Sequence, residues 1–212
     1  MRKLLAAFLV AAMVLGLPLV QTAFAAEITI TTPVDGASYV LNQPVVADYS
    51  CTAAAGEDVA TCMGPVESGS NIDTSTVGSK TFTVTAKDSA GNTLGEKSVT
   101  YNVVYQFSGF LPPLTGSKRV FKAGSTVPVK FQLKDAGGNY ISSATAQIWV
   151  DSTSNPGKAS GRSNTGNYFR YDPTSNQYIF TLQLPKGLAK GKHTIFVTLN
   201  DGSTPSVDIT VK

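Results

Sequence analysis

The stretch Val127-Pro128-Val129-Lys130-Phe131-Gln132-Leu133-Lys134 alternates large apolar side chains with proline, lysine and glutamine. Alternation with a period of two is typical of a β-strand that buries one face. The predicted inward row is Val127, Val129, Phe131 and Leu133. Because proline has no amide hydrogen, Pro128 favours a position at a sheet edge or at the start of a strand.

The same alternation recurs in both halves of the chain. Residues 81–86 and 98–103 each set one apolar row opposite a polar row, and the turn at 88–92 between them predicts a hairpin. Further inward rows are Tyr178/Phe180/Leu182/Leu184, Ile195/Val197/Leu199 and Val207/Ile209/Val211. Short strands with turn signals every 8–12 residues or so are typical of β-sandwiches. We therefore predict an all-β fold with two tandem β-sandwich domains.

The predicted organisation has four segments. They are a signal peptide (1–26), a first β-sandwich (27–104), a linker (105–117) and a second β-sandwich (118–212). The linker shows no alternation and carries Pro112-Pro113, which favours an extended, semi-rigid backbone. Its two aromatic residues, Phe107 and Phe110, predict that it packs against a domain.

The first residues predict export. Arg2 and Lys3 precede the apolar run 4–20, and Ala23-Phe24-Ala25 supplies the small residues of a signal peptidase site. Cleavage is expected after Ala25 or Ala26. An uncleaved anchor is the alternative, because the run is near the spanning limit of about 17 residues. We expect a secreted or periplasmic mature protein without a membrane span.

The chain has two cysteines, Cys51 and Cys62. Export would place them in an oxidising compartment. In an oxidising compartment such a pair forms a structural disulfide. A redox pair would more often be spaced Cys-x-x-Cys, and a metal site needs more ligands. We predict a disulfide that closes a short loop.

Several motifs carry a resemblance to known families. Residues 31–104 resemble a bacterial immunoglobulin-like repeat, through the stretches 32–37, 48–51, 59–62, 72–78 and 80–86. The remainder is similar to a PxKF-type domain, through Pro128-Val129-Lys130-Phe131 after Lys122-Ala123-Gly124, and through 177–180, 186–188 and 201–202. The resemblance implies tandem immunoglobulin-like β-sandwiches of the kind found as modules of exported proteins, often beside surface proteins or secreted enzymes. We expect no catalytic domain beside the pair.

Few residues suggest catalysis or metal binding. His193, the single histidine, is predicted to be a surface or turn residue. Asp151, Asp172 and Asp201 lie in predicted turns, where backbone hydrogen bonding favours aspartate, so a carboxylate-dependent hydrolase is the least favoured hypothesis. Calcium is an alternative to turn chemistry at Asp35, Asp73, Asp88, Asp135 and Asp201. We predict no catalytic residue, no metal and no cofactor.

The candidate binding surface combines outward-facing aromatic and basic residues of the second domain. Trp149 is out of phase with the apolar row of 144–150, and Phe196 with its neighbours in 195–199, so both are expected to point outward. Lys130, Lys134 and Arg170 add positive charge. The functional interpretation is a platform for a glycan or a partner protein. The alternative is that the aromatics pack under the linker, against the first domain or over a sheet edge.

Charge is divided unevenly along the chain. Residues 27–104 hold nine acidic residues and three lysines, a net charge of −6, whereas residues 105–212 hold five acidic and twelve basic residues, a net charge of +7. Such a basic unit attracts an anionic polymer, an acidic envelope glycan or a surface protein in a salt-sensitive way. An intramolecular attraction to the acidic half and a simply solvated surface are the alternatives. Nucleic acid is not expected in an exported protein.

These observations predict a non-catalytic exported protein that acts as a binding, adhesion or interaction module at the cell envelope. A structural spacer without a ligand is the alternative.

Overall fold

The structure, a computed structural model, describes residues 26–56, 58–116 and 119–212. Within these ranges the regular structure consists of fourteen β-strands, without helices, and the all-β prediction is confirmed. Accordingly, no helix among the described residues is long and apolar enough to cross a membrane. The predicted signal peptide, apart from Ala26, lies outside the described residues.

The first sandwich has a two-stranded and a four-stranded sheet. Its strands are β1 (Glu27–Thr32), β2 (Ala37–Val40), β3 (Asp48–Thr52), β4 (Thr61–Met63), β5 (Gly78–Lys87) and β6 (Thr93–Val104). Strands β1 and β3 form one sheet, and the other has the order β2-β6-β5-β4. The predicted hairpin is formed by β5 and β6, with Thr81 opposite Thr100. Inward residues of both sheets, such as Ile28, Phe82 and Val103, form one core.

The second sandwich has two four-stranded sheets. Its strands are β7 (Gln106–Phe110), β8 (Val120–Phe121), β9 (Thr126–Lys134), β10 (Ala146–Val150), β11 (Arg170–Asp172), β12 (Gln177–Gln183), β13 (Gly191–Leu199) and β14 (Ser206–Val211). One sheet has the order β11-β12-β9-β7 and the other β10-β13-β14-β8. The predicted inward rows of β9, β12, β13 and β14 are buried together in a single core.

Phe131 lies at the centre of this core. It is fully buried, as the alternation at 127–134 predicts. Its ring is stacked on Tyr178, with centroids 5.2 Å apart, and the rings of Phe107, Phe110 and Phe169 surround it at 5.0–6.3 Å. Aromatic pairs at these separations add to the stabilisation that burial alone gives. The strand with the clearest alternation is thus the one that anchors the second core.

Pro128 lies near the start of β9, as predicted. It is opposite Thr181 of β12, whereas the β7 ladder on the other side of β9 reaches only Phe131. The backbone of β9 therefore has no β7 partner at Pro128, and the missing amide hydrogen breaks no ladder bond there.

Residues 106–110, which we expected to be part of a linker, form β7 and pair with β9. Alternation is weak in this segment because only Phe110 of the strand is buried, and Leu114 follows as a buried residue of the same core. The backbone amide of Tyr105, just before β7, donates to Asp201 Oδ2 at 2.7 Å. The chain thus enters the second sandwich directly from β6.

Two further hydrogen bonds join the sandwiches. The backbone amide of Ala136 donates to the carbonyl oxygen of Leu41 at 2.9 Å. The side-chain amide of Asn42 donates to Asp135 Oδ2 at 3.1 Å. We call Leu41, Asn42, Asp135 and Ala136, together with the Tyr105–Asp201 bond, the junction.

The predicted disulfide between Cys51 and Cys62 is confirmed, with the two Cα atoms 5.7 Å apart. Cys51 belongs to β3 and Cys62 to β4. Since these strands belong to different sheets, the disulfide cross-links the two layers of the first sandwich.

Candidate interaction surfaces of the second sandwich

Trp149 and Phe196 lie side by side on the outer face of one sheet. They are directly opposite each other on β10 and β13, and both are half-buried. The indole Nε1–H of Trp149 donates to Thr198 Oγ1 at 2.9 Å. On its other side, the backbone of Trp149 forms an isolated antiparallel bridge with Pro156 in the loop after β10. We call this surface the aromatic face.

Lys130 and Arg170 lie on the outer face of the other sheet. Ile179 of β12 is the cross-strand neighbour of both, so the three form one row across β9, β12 and β11. Lys134, further along β9, places its ammonium group 4.6 Å from the ring centroid of Tyr140. We call Lys130, Lys134 and Arg170 the cationic face.

The five predicted surface residues therefore do not form one site. The inward rows of the two sheets share one core, so the outward rows point in opposite directions. The aromatic face and the cationic face lie on opposite sides of the sandwich. Alternation in the sequence predicts that a residue points outward, but it does not show which of the two sheets the residue's strand belongs to.

The carboxylates of the second sandwich are all engaged within the fold. Their partners are as follows: Asp135 with Asn42 and Asn139; Asp151 with His193 and Thr194; Asp172 with Thr174 and Ser175; Asp201 with Tyr105 and Ser203; Asp208 with Lys192 and Thr194. The pKa of Asp172 is lowered, mainly by the hydrogen bond from Ser175. The pKa of Asp208 is lowered as well, mainly by the hydrogen bond from Lys192. Each of the five carboxylates therefore already has partners within the fold.

The lysines and arginines behave differently. Among the described residues of the second sandwich, one of them forms an ion pair, Lys192 with Asp208 at 2.9 Å. Arg119 donates to the backbone carbonyls of Asp208 and Gly116 instead. Within the described ranges, no ion pair joins the two sandwiches. Among the described residues, most lysines and arginines of the second sandwich therefore have no ion-pair partner in their own sandwich or in the acidic half.

Much of this charge is concentrated at one end of the second sandwich. We call this the basic end and define it by five exposed lysines: Lys122, Lys158, Lys186, Lys190 and Lys192. It is the end remote from the junction, where β9 starts and β12 stops, since Thr126 is opposite Gln183. These lysines contribute to the net charge of residues 105–212, but the sequence alone does not group them as a site. The signal available in the sequence is that four of them are adjacent to a glycine: Lys158, Lys186, Lys190 and Lys192.

His193 is not a surface or turn residue, and that prediction was wrong. It is in β13 and is only 9% exposed. Its Nδ1 is 2.8 Å from Asp151 Oδ2 and its Nε2 is 2.8 Å from the carbonyl oxygen of Ala189. Both partners are acceptors, so both ring nitrogens must carry a hydrogen, as in the imidazolium form. The hydrogen bond to Asp151 accordingly raises the pKa of His193 above its ordinary value.

The loop aspartates act as turn residues. Asp35 accepts hydrogen bonds from the backbone amide and the hydroxyl of Thr100, and Asp88 from backbone amides of its own turn. Asp73 accepts from Ser75 and from Lys80 at 2.6 Å, which lowers its pKa strongly. No group of three or more His, Cys, Asp or Glu side chains that could hold a metal ion occurs in the described part of the chain.

Comparison with known proteins gives no family. No family model matches the chain, and no curated protein matches it. The PxKF-type and immunoglobulin-like resemblances therefore remain predictions from the motifs, although the sandwich architecture that they imply is present.

Solved structures give distant matches. Fibronectin(III)-like modules of Clostridium thermocellum CbhA are 16% identical with a TM-score of 0.31, covering 88% of this chain and 94% of that one. Domains 4 and 5 of the S-layer protein SbsC are 15% identical with a TM-score of 0.32, covering 88% and 98%. The D00-D0 domain of intimin is 12% identical with a TM-score of 0.31, covering 87% and 97%. Likeness at this level supports no argument about function, so the fold rests on the strand pairing and cores described above.

Proposed function

We propose that this chain is a non-catalytic exported protein that acts as an interaction module at the cell envelope, and that it binds through the positive charge of its second sandwich. One observation carries this proposal. The carboxylates of that sandwich all have intramolecular partners, whereas Lys192 is the one described lysine or arginine there that has an ion-pair partner. Unpaired charges of one sign attract a partner of the opposite sign over about a Debye length.

An anionic envelope polymer fits this charge better than a neutral glycan. The aromatic face, which a neutral sugar would need, is half-buried and has its indole N–H already bonded to Thr198. The five lysines of the basic end, by contrast, are exposed. A spacer without a ligand is the alternative, and it predicts that the same charges serve only solubility.

Export is part of the proposal, and the first sandwich favours one of the two cleavage points. Ala26 is buried, and its backbone N donates to the carbonyl oxygen of Leu94 at 3.1 Å. Cleavage after Ala25 keeps this residue, whereas cleavage after Ala26 removes it. We therefore expect Ala26 as the first residue of the mature protein, which mass spectrometry of the exported chain will show; a chain starting at Glu27 would contradict this.

The binding proposal is tested with the mature chain against three soluble probes: poly(glycerol phosphate), an acidic polysaccharide and neutral dextran. Titrations are run at about 50 mM and about 300 mM salt, because screening shortens the range of charge attraction. We expect binding to the two anionic probes, weakened at high salt, and none to dextran. Absence of binding to all three probes at low salt would favour the spacer, and salt-independent binding to dextran would refute the charge argument.

A further inference from the structure

We propose that the basic end is the binding site, and that its ligand is a linear anionic polymer. This inference rests on the proposed function and adds the location and the ligand class. A phosphodiester polymer and a polymer of acidic sugars share this chemistry. Lysine ammonium groups suit it because they are point charges that impose no bidentate geometry.

The fold brings the loops of the basic end together. The backbone amide of Gly124 donates to the carbonyl oxygen of Pro185 at 3.2 Å, which sets the loop of Lys122 against the loop of Lys186. The backbone amide of Gln183 donates to the carbonyl oxygen of Lys158 at 2.9 Å. Three segments that are distant in sequence thus lie next to one another and carry exposed lysines, as a polymer that crosses several loops requires.

Both side-chain carboxylates at this end are occupied. Asp151 accepts from His193 and from the backbone amide of Thr194. Asp208 accepts from Lys192 and from the Thr194 hydroxyl. No further Asp or Glu side chain in the described part of this end remains to pair with the other lysines.

His193 also fixes the loop that carries two of the lysines. Its Nε2 is bonded to the carbonyl oxygen of Ala189, which lies between Lys186 and Lys190 in sequence. Because the ring is held on its other side by Asp151, this contact ties the loop to β13. A loop positioned in this way loses less conformational entropy on binding.

The cationic face is the weaker candidate. Ile179 separates Lys130 from Arg170, and Lys134 already lies over the ring of Tyr140. It therefore provides a matched control: the same loss of two positive charges, on another surface of the same sandwich.

The test compares K186Q/K190Q with K130Q/R170Q in the mature chain, titrated with poly(glycerol phosphate) at low salt. Glutamine keeps most of the side-chain length, and thermal melts check that both variants fold. We expect K186Q/K190Q to lose affinity on the order of tenfold, since each lysine near a densely anionic surface contributes several-fold, and K130Q/R170Q to lose about twofold or less.

The outcomes separate the two proposals. Equal losses in the two variants, or a larger loss in K130Q/R170Q, would overturn the basic end as the site while leaving the proposed function intact. Failure of the unsubstituted chain to bind either anionic probe would overturn both. A parallel titration with the acidic polysaccharide shows which of the two polymer sources binds more tightly.

Discussion

Replacing Phe131 by alanine tests the assignment of the second core. Phe131 is fully buried and touches four aromatic rings. Deletion of a buried phenylalanine side chain costs about 3–5 kcal/mol. The four ring contacts argue for the upper part of that range, because each aromatic pair adds about 0.5–1.5 kcal/mol beyond burial. A loss of about 4 kcal/mol is a roughly thousandfold change in the folding equilibrium, out of about 5–15 kcal/mol for a whole domain.

The assay uses a convenient property of the sequence. Trp149 is the single tryptophan and lies in the second sandwich, so its fluorescence reports the unfolding of that unit. Urea titrations of the parent, Phe131→Ala and Lys130→Ala give the free energies of unfolding from the midpoint and slope. We expect Phe131→Ala to fall by about 4 kcal/mol, and Lys130→Ala, whose side chain points outward, to change by about 0.5 kcal/mol or less.

Near-equal losses in the two variants would refute the assignment of inward and outward faces to β9. A loss below about 1 kcal/mol for Phe131→Ala would show that the site collapses around the missing ring or that the ring is not in the core.

Three further predictions concern other parts of the fold. Asp151 raises the pKa of folded His193 above the ordinary value of about 6.5. The stabilisation of the fold by the His193–Asp151 pair is therefore complete below about pH 6.5 and is lost as the pH rises through the folded pKa. Thermal melts at about pH 6 and about pH 8 should show this loss in the parent, and an equal loss in His193→Gln would refute it. The double variant Cys51→Ala/Cys62→Ala should lower the free energy of unfolding of the first sandwich by about 3 kcal/mol, since it opens a short covalent loop. Urea titrations followed by circular dichroism measure this, and an unchanged unfolding midpoint would contradict a structural role of the disulfide. Gly157→Ala should lower the free energy of unfolding by about 1–3 kcal/mol, measured by tryptophan fluorescence, since a Cβ there would meet Ile148 Cγ2 at 2.9 Å. Gly187→Ala is the control and should be near neutral, because a Cβ there would have no atom within 4 Å.

The all-β class and the inward rows were predictable because alternation is a local signal. Residues 127–133 and the hairpin around 88–92 show both faces of their strands directly in the sequence. β7 was not predictable in this way, because Phe107, Phe110 and Leu114 reach the core from a short strand and the loop after it, without regular spacing.

The candidate site was less predictable, because it depends on which strands meet. Trp149 and Arg170 were both expected to face outward, yet sheet order sends them to opposite sides of the sandwich. The lysines of the basic end are separated by up to 70 residues in sequence, and strand pairing together with hydrogen bonds between loops brings them to one end of the sandwich. His193 was misjudged because its burial depends on partners, Asp151 and Ala189, of which only the second is nearby in sequence.

The continuity of β6 and β7 through Tyr105 has a mechanical consequence. A force applied to the first sandwich acts on the second along the axis of β7, which is paired with the antiparallel strand β9. Force in that direction shears the ladder, so its hydrogen bonds share the load instead of opening one after another. The Tyr105–Asp201 bond and the Leu41–Ala136 bond lie at the point where this force passes from the first sandwich to the second.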